Sequence, residues 1–257
     1  MRLHVPAGGH SERDAALRAV RANPVWYHTL ELPGAVTTPG QVDLRRVAPR
    51  LLPPDLRGKR ALDVGTFDGF WAFELERRGA EVVAIDLGGV EQVQLAPTAR
   101  AMVEEQARAR GVELGRGFAL ASELLSSQVR RVECDVLELE PATIGGTVDL
   151  AFMGALLVHL RDPVRGLERI RSVLAPGGEL YQLEAMSMWL SLLHPRQPVA
   201  HLQTLTTSFN WWFPNWAMLR TWLMTAGFDE VHGRGIYRPP QRRPMRNVYR
   251  GIHSRRS

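Results

Sequence analysis

Short apolar runs alternate with segments of helical periodicity along most of the chain. Buried strands are predicted where four to six apolar or β-branched residues run together. These runs lie at residues 61–64, 80–85, 131–136, 148–153 and 179–184, with a late strand from residue 228 onward. Because helical patterns separate the runs, the order of elements predicts an α/β protein with a doubly wound sheet.

The predicted helices begin and end at recognisable signals. Asp162-Pro163 offers an N-cap followed by proline at the first helical position, and Pro176-Gly177-Gly178 ends that helix. The other helices are predicted at residues 12–22, from Gly69 onward, 87–111, 117–125 and 216–226. We expect residues 1–59 to form an N-terminal extension and residues 60–257 the sheet domain, with a substrate-side insert at about 185–215.

The turn after the first strand organises the predicted fold. Gly65 and Gly69 bracket it in the run LDVGTFDG, and a helix opens behind it. A dinucleotide-binding turn needs a second glycine for close approach of the pyrophosphate. Phe67 occupies that position and Asp68 follows it, so the turn disfavours a pyrophosphate. Asp63 and Asp68 instead suit a ligand with a positive charge, such as an α-ammonium group.

Acidic residues end two further predicted strands. Asp86 follows the second strand, at the interval where a carboxylate hydrogen-bonds ribose hydroxyls in this architecture. Asp135 lies at the end of the third strand. It could accept a hydrogen bond from an adenine amine, or it could cap a turn.

The composition limits the possible classes of protein. A chain of 257 residues suits one large domain, or one domain with a cap. Cys134 is the only cysteine, which excludes internal disulfides, and no apolar leader follows Arg2. The longest apolar run, residues 150–158, is too short to cross a bilayer. We therefore expect a cytoplasmic protein without a membrane partner.

Arginine dominates the positive charge, with 31 arginines against the single Lys59 and a net charge of +5. This bias is typical either of phosphate recognition or of an arginine-rich genome. The C-terminal tail is the exception, because its arginines are interrupted by no acid. They are Arg238, Arg242, Arg243, Arg246, Arg250, Arg255 and Arg256.

Two aromatic segments are candidates for contact with a substrate. Trp211, Trp212 and Phe213 lie in FNWWFPN, which a proline breaks and which is too irregular to be one helix face. Trp26 and Tyr27 precede a Pro-Gly turn in the N-terminal extension. That extension could be a lid over the crevice or an apolar strap over one edge of the sheet.

Three residues are candidate general bases: His28, His159 and Glu184. His159 follows the fourth strand and could instead be a packed histidine that orders its loop. Glu184 is placed at the end of the fifth strand. The spacing of histidines and carboxylates indicates no metal site.

The pattern D-x-G-x-x-x-G resembles the first motif of class I S-adenosylmethionine methyltransferases. WYHTLELPG, MGALLVHLRDP, LAPGGEL and FNWWFPNWAMLRTWLMTAGF extend the resemblance over residues 24–230, to the group related to tRNA wobble-uridine carboxymethyltransferases. This resemblance implies a seven-stranded Rossmann-like sheet whose last strand is antiparallel. It also implies S-adenosylmethionine as donor and S-adenosylhomocysteine as product. The implied donor contacts are Asp63, Gly65, Thr66, Phe67, Asp68, Gly69, Asp86, Leu87, Asp135, Val136, Met153 and Gly154.

The chain departs from that group at one position. The carboxymethylating members resemble this chain at MGALLVHLRDP but have a tyrosine before the histidine, which contacts the extra carboxylate of their donor. Val158 stands there in this chain and cannot hydrogen-bond a carboxylate. Ordinary S-adenosylmethionine is therefore the expected donor, since the carboxylated donor would need another contact, such as a C-terminal arginine.

Three functions follow from these observations. The first is methylation, with oxygen favoured, of a small molecule of secondary metabolism. The second is a tRNA-modifying methyl- or carboxymethyltransferase, which the arginine tail supports. The third is a non-catalytic S-adenosylmethionine-binding protein, against which the intact turn and its acids argue. The sequence does not indicate an oligomeric state.

Overall fold

A seven-stranded mixed sheet forms the centre of the molecule. The computed structural model describes residues 7–203, 209–242 and 247–257, with side chains from residue 11 onward. The strands are β1 (Arg60–Val64), β2 (Glu81–Asp86), β3 (Arg130–Glu133), β4 (Val148–Gly154), β5 (Leu174–Met186), β6 (Glu230–Tyr237) and β7 (Val248–Arg255). They lie in the order β6-β7-β5-β4-β1-β2-β3, with β7 antiparallel to both neighbours. The predicted α/β class and the antiparallel last strand are confirmed.

The described helices lie between and around these strands. They are α1 (Ala7–Ala22), α2 (Phe70–Arg77), α3 (Pro97–Ala109), α4 (Arg116–Leu125), α5 (Pro163–Val173), α6 (Met188–Leu193) and α7 (Trp216–Thr225), with single turns at Ala48–Leu51 and Pro141–Ile144. Short 3-10 turns occupy Pro33–Ala35, Val90–Gln92, Val136–Glu138 and Leu157–His159. Two short antiparallel pairs lie outside the main sheet: Glu31–Leu32 with Val36–Thr37, and Ala200–Leu202 with Trp212–Pro214.

Apolar side chains cover both faces of the sheet, as a doubly wound fold requires. One face packs against α2, α4 and the N-terminal residues, and its core includes Trp26, Leu51 and Phe152. The opposite face packs against α5 and α7, and its core includes Leu167 and Leu223. The central strands are therefore covered on both faces, whereas the edge strand β6 is largely exposed.

Several predicted boundaries differ from the structure. The helix predicted at 87–111 begins only at Pro97, because a 3-10 turn and an extended segment precede it. Strand β3 ends at Glu133, since the Asp135 side chain caps the next turn. Strand β5 begins at Leu174, so Pro176-Gly177-Gly178, which was predicted to end the preceding helix, lies within the strand. The single late strand of the prediction is a pair, β6 and β7.

Residues 23–59 form a segment that we call the N-terminal strap. It is hydrogen-bonded near the C-terminal end of the chain, where Asp43 N donates to Pro240 O at 3.0 Å and Arg242 N donates to Gln41 O at 2.8 Å. Its side chains Leu30, Val36 and Val42 are buried in the core. Of the two interpretations of this extension, the described contacts are those of a strap.

Within the described residues, no helix has the length and apolar character to cross a lipid bilayer.

Candidate active site

The turn between β1 and α2 places two glycines in the left-handed region. Gly65 has φ of +75° and Gly69 has φ of +90°, a conformation that favours glycine. The N–H groups of Gly65 and Thr66 both donate to Ile85 O, at 2.9 and 3.1 Å, which ties the turn to β2. Phe67 also has positive φ, +48°, so the residue in place of the second glycine is held in a strained conformation.

Asp86 supports that strained turn from the end of β2. Its carboxylate accepts hydrogen bonds from Phe67 N at 2.6 Å and Leu87 N at 2.8 Å. Burial raises the pKa of Asp86, while the two backbone hydrogen bonds act in the opposite direction. The predicted acid at the second strand therefore lies directly against the turn.

A narrow crevice of about 70 Å³ lies at the carboxyl ends of these strands, and we call it the turn crevice. Of the predicted donor contacts, it brings together Gly65, Asp86, Leu87, Asp135 and Val136. Its described lining contains two carboxylates, apolar groups, Gln94, Cys134 and His159, without lysine or arginine. This chemistry fits a cationic nucleoside and not a pyrophosphate. Asp135 Oδ1 accepts a hydrogen bond from Leu137 N at 2.9 Å, so this residue caps a turn while it lines the crevice.

Asp63 lies beneath the turn in β1 and is 1% exposed. Burial raises its pKa to about 7, although the nearby Thr66 hydroxyl and the charge of His28 oppose the rise. Among the described residues, its Oδ2 atom has no hydrogen-bond partner. A buried carboxyl oxygen of this kind is suited to a donor group of a ligand.

Asp68 is bonded to the N-terminal strap and does not face the crevice. Its Oδ2 accepts hydrogen bonds from the N–H groups of Tyr27 and His28, both at 2.8 Å, and its Oδ1 contacts His28 Nδ1. The His28 ring stacks on Phe70 with centroids 5.4 Å apart and is 5% exposed. Asp68, which was predicted to contact the ammonium group, is therefore paired with His28, one of the candidate bases. Both residues hold the N-terminal strap in place.

Three other predicted contacts lie away from open surface. Trp26 is 2% exposed and donates its indole N–H to Val20 O, so it does not present a face to a substrate. Met153 is fully buried in the core below the crevice. A Cβ added at Gly154 would approach Trp71 Nε1 to 3.0 Å, so this glycine accommodates the indole ring.

His159 lies at the crevice after β4. Its Nδ1 is 3.0 Å from Phe209 O, and burial lowers its pKa. Glu184 is fully buried in β5, where its Oε1 accepts hydrogen bonds from Leu156 N at 3.2 Å and Leu157 N at 3.4 Å. Both remain candidate bases, His159 at the crevice wall and Glu184 one layer beneath it.

A larger cleft of about 860 Å³ adjoins the turn crevice, and we call it the outer cleft. Trp211 and Trp212 line it, as do Arg100, Arg161 and Arg165. The Arg161 guanidinium lies over the Trp211 ring, 5.4 Å from its centroid. Two of the five aromatic residues predicted to bind substrate, Trp211 and Trp212, therefore lie at this cleft. Trp212 begins a short strand, Trp212–Pro214, that pairs with Ala200–Leu202, and Trp211 directly precedes it. We call residues 211–214 the aromatic ribbon.

Gln94 separates the two spaces, and sequence analysis missed it. It lines both the turn crevice and the outer cleft. Its Oε1 accepts a hydrogen bond from Arg161 N at 2.8 Å, and its carbonyl accepts one from Trp211 Nε1. No sequence signal marked it, because a polar residue in a loop has no periodicity and its partner Trp211 lies 117 positions away.

Three of the five tail arginines that the structure describes have intramolecular side-chain partners. Arg255 pairs with Glu179 at 3.1 Å, and Arg256 donates to backbone carbonyls such as Arg171 O at 3.0 Å. The Arg250 guanidinium lies 4.5 Å from the centroid of the Trp216 ring. Arg238 and Arg242 are exposed, whereas Arg243 and Arg246 lie outside the described residues. The described part of the tail is therefore largely a strand of the sheet.

Comparison with known sequences places these features in context. The family described as "Methyltransferase domain" matches residues 40–232. The tRNA U34 carboxymethyltransferase of Azotobacter vinelandii is 31% identical over 231 residues, which cover 86% of this chain and 62% of that protein. The enzyme of the same name from Idiomarina loihiensis is 27% identical over 192 residues, which cover 73% of this chain. The chain spans only 50% of the length of this second relative.

Solved structures share the fold. The N-terminal domain of EvdMO1, solved in the presence of SAH and D-fucose, is 18% identical with a TM-score of 0.58. The match covers 95% of this chain and 97% of that one. At this identity the likeness concerns the fold alone.

Proposed function

Since the chain belongs to the methyltransferase-domain family, we propose that this S-adenosylmethionine-dependent methyltransferase modifies an acceptor bound in the outer cleft. When bound, S-adenosylmethionine supplies a methyl group already activated on a sulfonium. The protein's work is therefore to hold donor and acceptor in line and to exclude water. Asp86 would hold the ribose, Asp135 the adenine edge, and the turn beside Asp63 the ammonium end. The acids in the described crevice lining, and its lack of lysine and arginine, support this placement.

For the acceptor, we propose a nucleotide of tRNA. The observation that carries this proposal is the pairing of Arg161 with Trp211 in an open cleft that Arg100 and Arg165 also line. Single-stranded bases bind proteins by stacking on aromatic and guanidinium planes, while arginines contact phosphates. The names of the curated relatives, tRNA U34 carboxymethyltransferases, support the same class of acceptor.

We propose methyl transfer instead of carboxymethyl transfer. Val158, at the position discussed above, is 2% exposed and packs in the core. Its carbonyl accepts the backbone N–H of Trp211 at 2.7 Å, so this residue positions the aromatic ribbon. It offers no polar side chain to a donor carboxylate.

A small planar molecule is the second candidate acceptor. The outer cleft has a volume of about 860 Å³, and small-molecule sites are commonly about 300–1,000 Å³. A metabolite with an acidic group would satisfy both the tryptophans and the arginines. O-methylation in secondary metabolism belongs to this candidate.

A labelling experiment separates the two acceptors. The protein would be incubated with tritiated S-adenosylmethionine and either bulk tRNA or a small-molecule cell extract. We expect label in tRNA, reduced about tenfold or more in Arg161→Ala and unchanged in Arg196→Ala, which alters an exposed arginine. Label confined to the extract would support the small-molecule acceptor, and label in neither fraction would overturn both proposals.

A further inference from the structure

We propose that Gln94 selects the methyl acceptor by its ring chemistry: its side-chain NH2 group donates a hydrogen bond to an exocyclic oxygen of the ring. The inference rests on the proposed function, because it places a nucleotide in the outer cleft. The favoured rings carry an oxygen beside a ring N–H, as uracil and guanine do, and the disfavoured rings carry an amine there. Gln94 has the position for this role, since it lines both the turn crevice and the outer cleft.

The hydrogen bonds of Gln94 fix the orientation of its side-chain amide. Its Oε1 accepts the backbone N–H of Arg161 at 2.8 Å. The reversed amide would turn its NH2 group towards that N–H, so that two donors faced each other, and the pairing therefore identifies the oxygen. The oxygen is engaged by the protein, and the group left for a ligand is the NH2, which only donates.

The NH2 group of Gln94 is open to a ligand. Within the part of the chain that the structure describes, no hydrogen-bond acceptor is paired with Nε2. This atom is also not among the buried unpaired polar atoms, so it reaches solvent at the junction of the two spaces. Gln182 provides a contrast, because both of its amide atoms are unpaired and buried inside the molecule.

Gln94 is tied to both members of the stacking pair, Arg161 and Trp211. Its carbonyl oxygen accepts Trp211 Nε1, and the Arg161 guanidinium lies 5.4 Å from the centroid of the Trp211 ring. Arg161 is also held through its own carbonyl, which accepts Trp212 Nε1 at 3.3 Å. A base that stacks on this pair therefore has one edge beside the Gln94 amide.

The loop that carries Gln94 is anchored on both sides of this residue. The Arg100 guanidinium donates to Glu91 O at 2.9 Å and to Val93 O at 3.1 Å. Leu95, the next residue along the chain, is 7% exposed. A donor held in place by its neighbours discriminates between ligands, because it does not turn away from an unsuitable group.

The charges of the outer cleft leave one guanidinium for an anionic group of the methyl acceptor. Arg100 pairs with Glu104 at 3.1 Å, and Arg165 pairs with Glu138 at 2.9 Å. Among the described residues, the Arg161 guanidinium has no carboxylate partner. The phosphate of any nucleotide satisfies this charge equally, so the charge does not distinguish one ring from another.

An amine in place of the oxygen is disfavoured for a physical reason. Uracil presents an exocyclic oxygen where cytosine presents an NH2 group, and guanine and adenine differ in the same way. Two facing NH2 groups make no hydrogen bond, although both have lost water. A site built around a donor therefore rejects the ring that lacks the matching oxygen.

A binding experiment tests the selection without methyl transfer. Equilibrium dialysis would use radiolabelled uridine or cytidine monophosphate with saturating S-adenosylhomocysteine, and wild type should bind the uridine nucleotide about tenfold more tightly. Gln94→Glu should reverse the preference, because one carboxylate oxygen still accepts the Arg161 N–H while the other accepts from the cytosine amine. Gln92→Glu is the matched control: it adds the same charge to the cleft lining, but its side chain bonds to Gly88 N, so the wild-type ratio should persist.

The ratio of the two affinities separates selection from a structural role. If Gln94 only shaped the loop, Gln94→Glu would weaken both nucleotides in parallel, and an unchanged ratio would overturn the inference while the proposed function stood. A reversal in Gln92→Glu as well would overturn it as an effect of charge alone. Wild type that binds neither nucleotide would overturn the proposed nucleotide acceptor and the inference with it.

Discussion

Asp86 combines a structural and a binding role at the turn. Its carboxylate accepts the N–H of Phe67, which has φ of +48°. A left-handed residue other than glycine costs about 1 kcal/mol, and a charge-assisted hydrogen bond of 2.6 Å can offset that cost. The same carboxylate lines the crevice where the donor ribose is expected.

Replacing Asp86 by Asn should weaken donor binding more than it weakens the fold. The amide oxygen can still accept the N–H of Phe67, but the NH2 group replaces the oxygen that accepts the N–H of Leu87. The charge that receives the ribose hydroxyls is also lost. A hydrogen bond to a charged group contributes about 1.5–3 kcal/mol, so we expect affinity for S-adenosylhomocysteine to fall about 10- to 100-fold. Titration calorimetry measures this, with Asp14→Asn on the exposed face of α1 as control. Equal affinity in the two variants would contradict the role of Asp86.

The aromatic ribbon and the loops around the turn crevice are tied together. Trp211 donates its indole N–H to Gln94 O, and Gln94 accepts the backbone N–H of Arg161. The crevice between these elements measures only about 70 Å³, well below the roughly 300 Å³ of a small-molecule site. A donor nucleoside therefore requires the ribbon or the loops to move apart.

Trp211→Phe should favour the open arrangement. The variant keeps an aromatic ring but removes the N–H that bonds to Gln94 O. One such hydrogen bond contributes about 1 kcal/mol net, so the open population and the apparent affinity for S-adenosylhomocysteine should rise about fivefold. Stopped-flow binding would show the gain in the association rate. Trp189→Phe, at an indole that is 68% exposed, should change neither quantity, and weaker binding by Trp211→Phe would refute the idea of a closed ribbon.

Elements were easier to predict from the sequence than the contacts between them. Strands β1, β2 and β4 were found because each is an unbroken apolar run, and the turn was found because Gly65 and Gly69 mark it. The family assignment confirms the predicted enzyme class and donor. The partner of Asp68 could not be predicted, because it lies 40 positions away in a segment without periodicity. The pairing of Gln94 with Trp211 could not be predicted for the same reason.

Two buried acids should control how the stability of the whole molecule depends on pH. Burial raises the pKa of Asp63 to about 7 and that of Glu184 to about 8, from ordinary values of 3.8 and 4.5. Between about pH 4 and pH 8 the folded chain keeps protons that the unfolded chain releases. The free energy of unfolding should therefore fall as pH rises, by up to about 1.4 kcal/mol per pH unit for each group.

Urea unfolding at pH 5, 6, 7 and 8 measures this slope. Glu184→Gln removes one of the two titrating groups and should give a shallower decline between pH 5 and pH 8. Asp14→Asn should follow the wild-type curve. Stability that rises with pH across this range would contradict the protonated state of both buried acids.

The attachment of the N-terminal strap has a consequence for synthesis on the ribosome. Gln41 and Asp43 hydrogen-bond to Arg242 and Pro240, so these contacts of the strap cannot form until residues 240–242 have left the exit tunnel. Until then, the packing of its apolar side chains, which include Leu30 and Val42, is incomplete in the nascent chain. The attachment of residues 23–59 is thus completed only after strands β1 to β6 have been made.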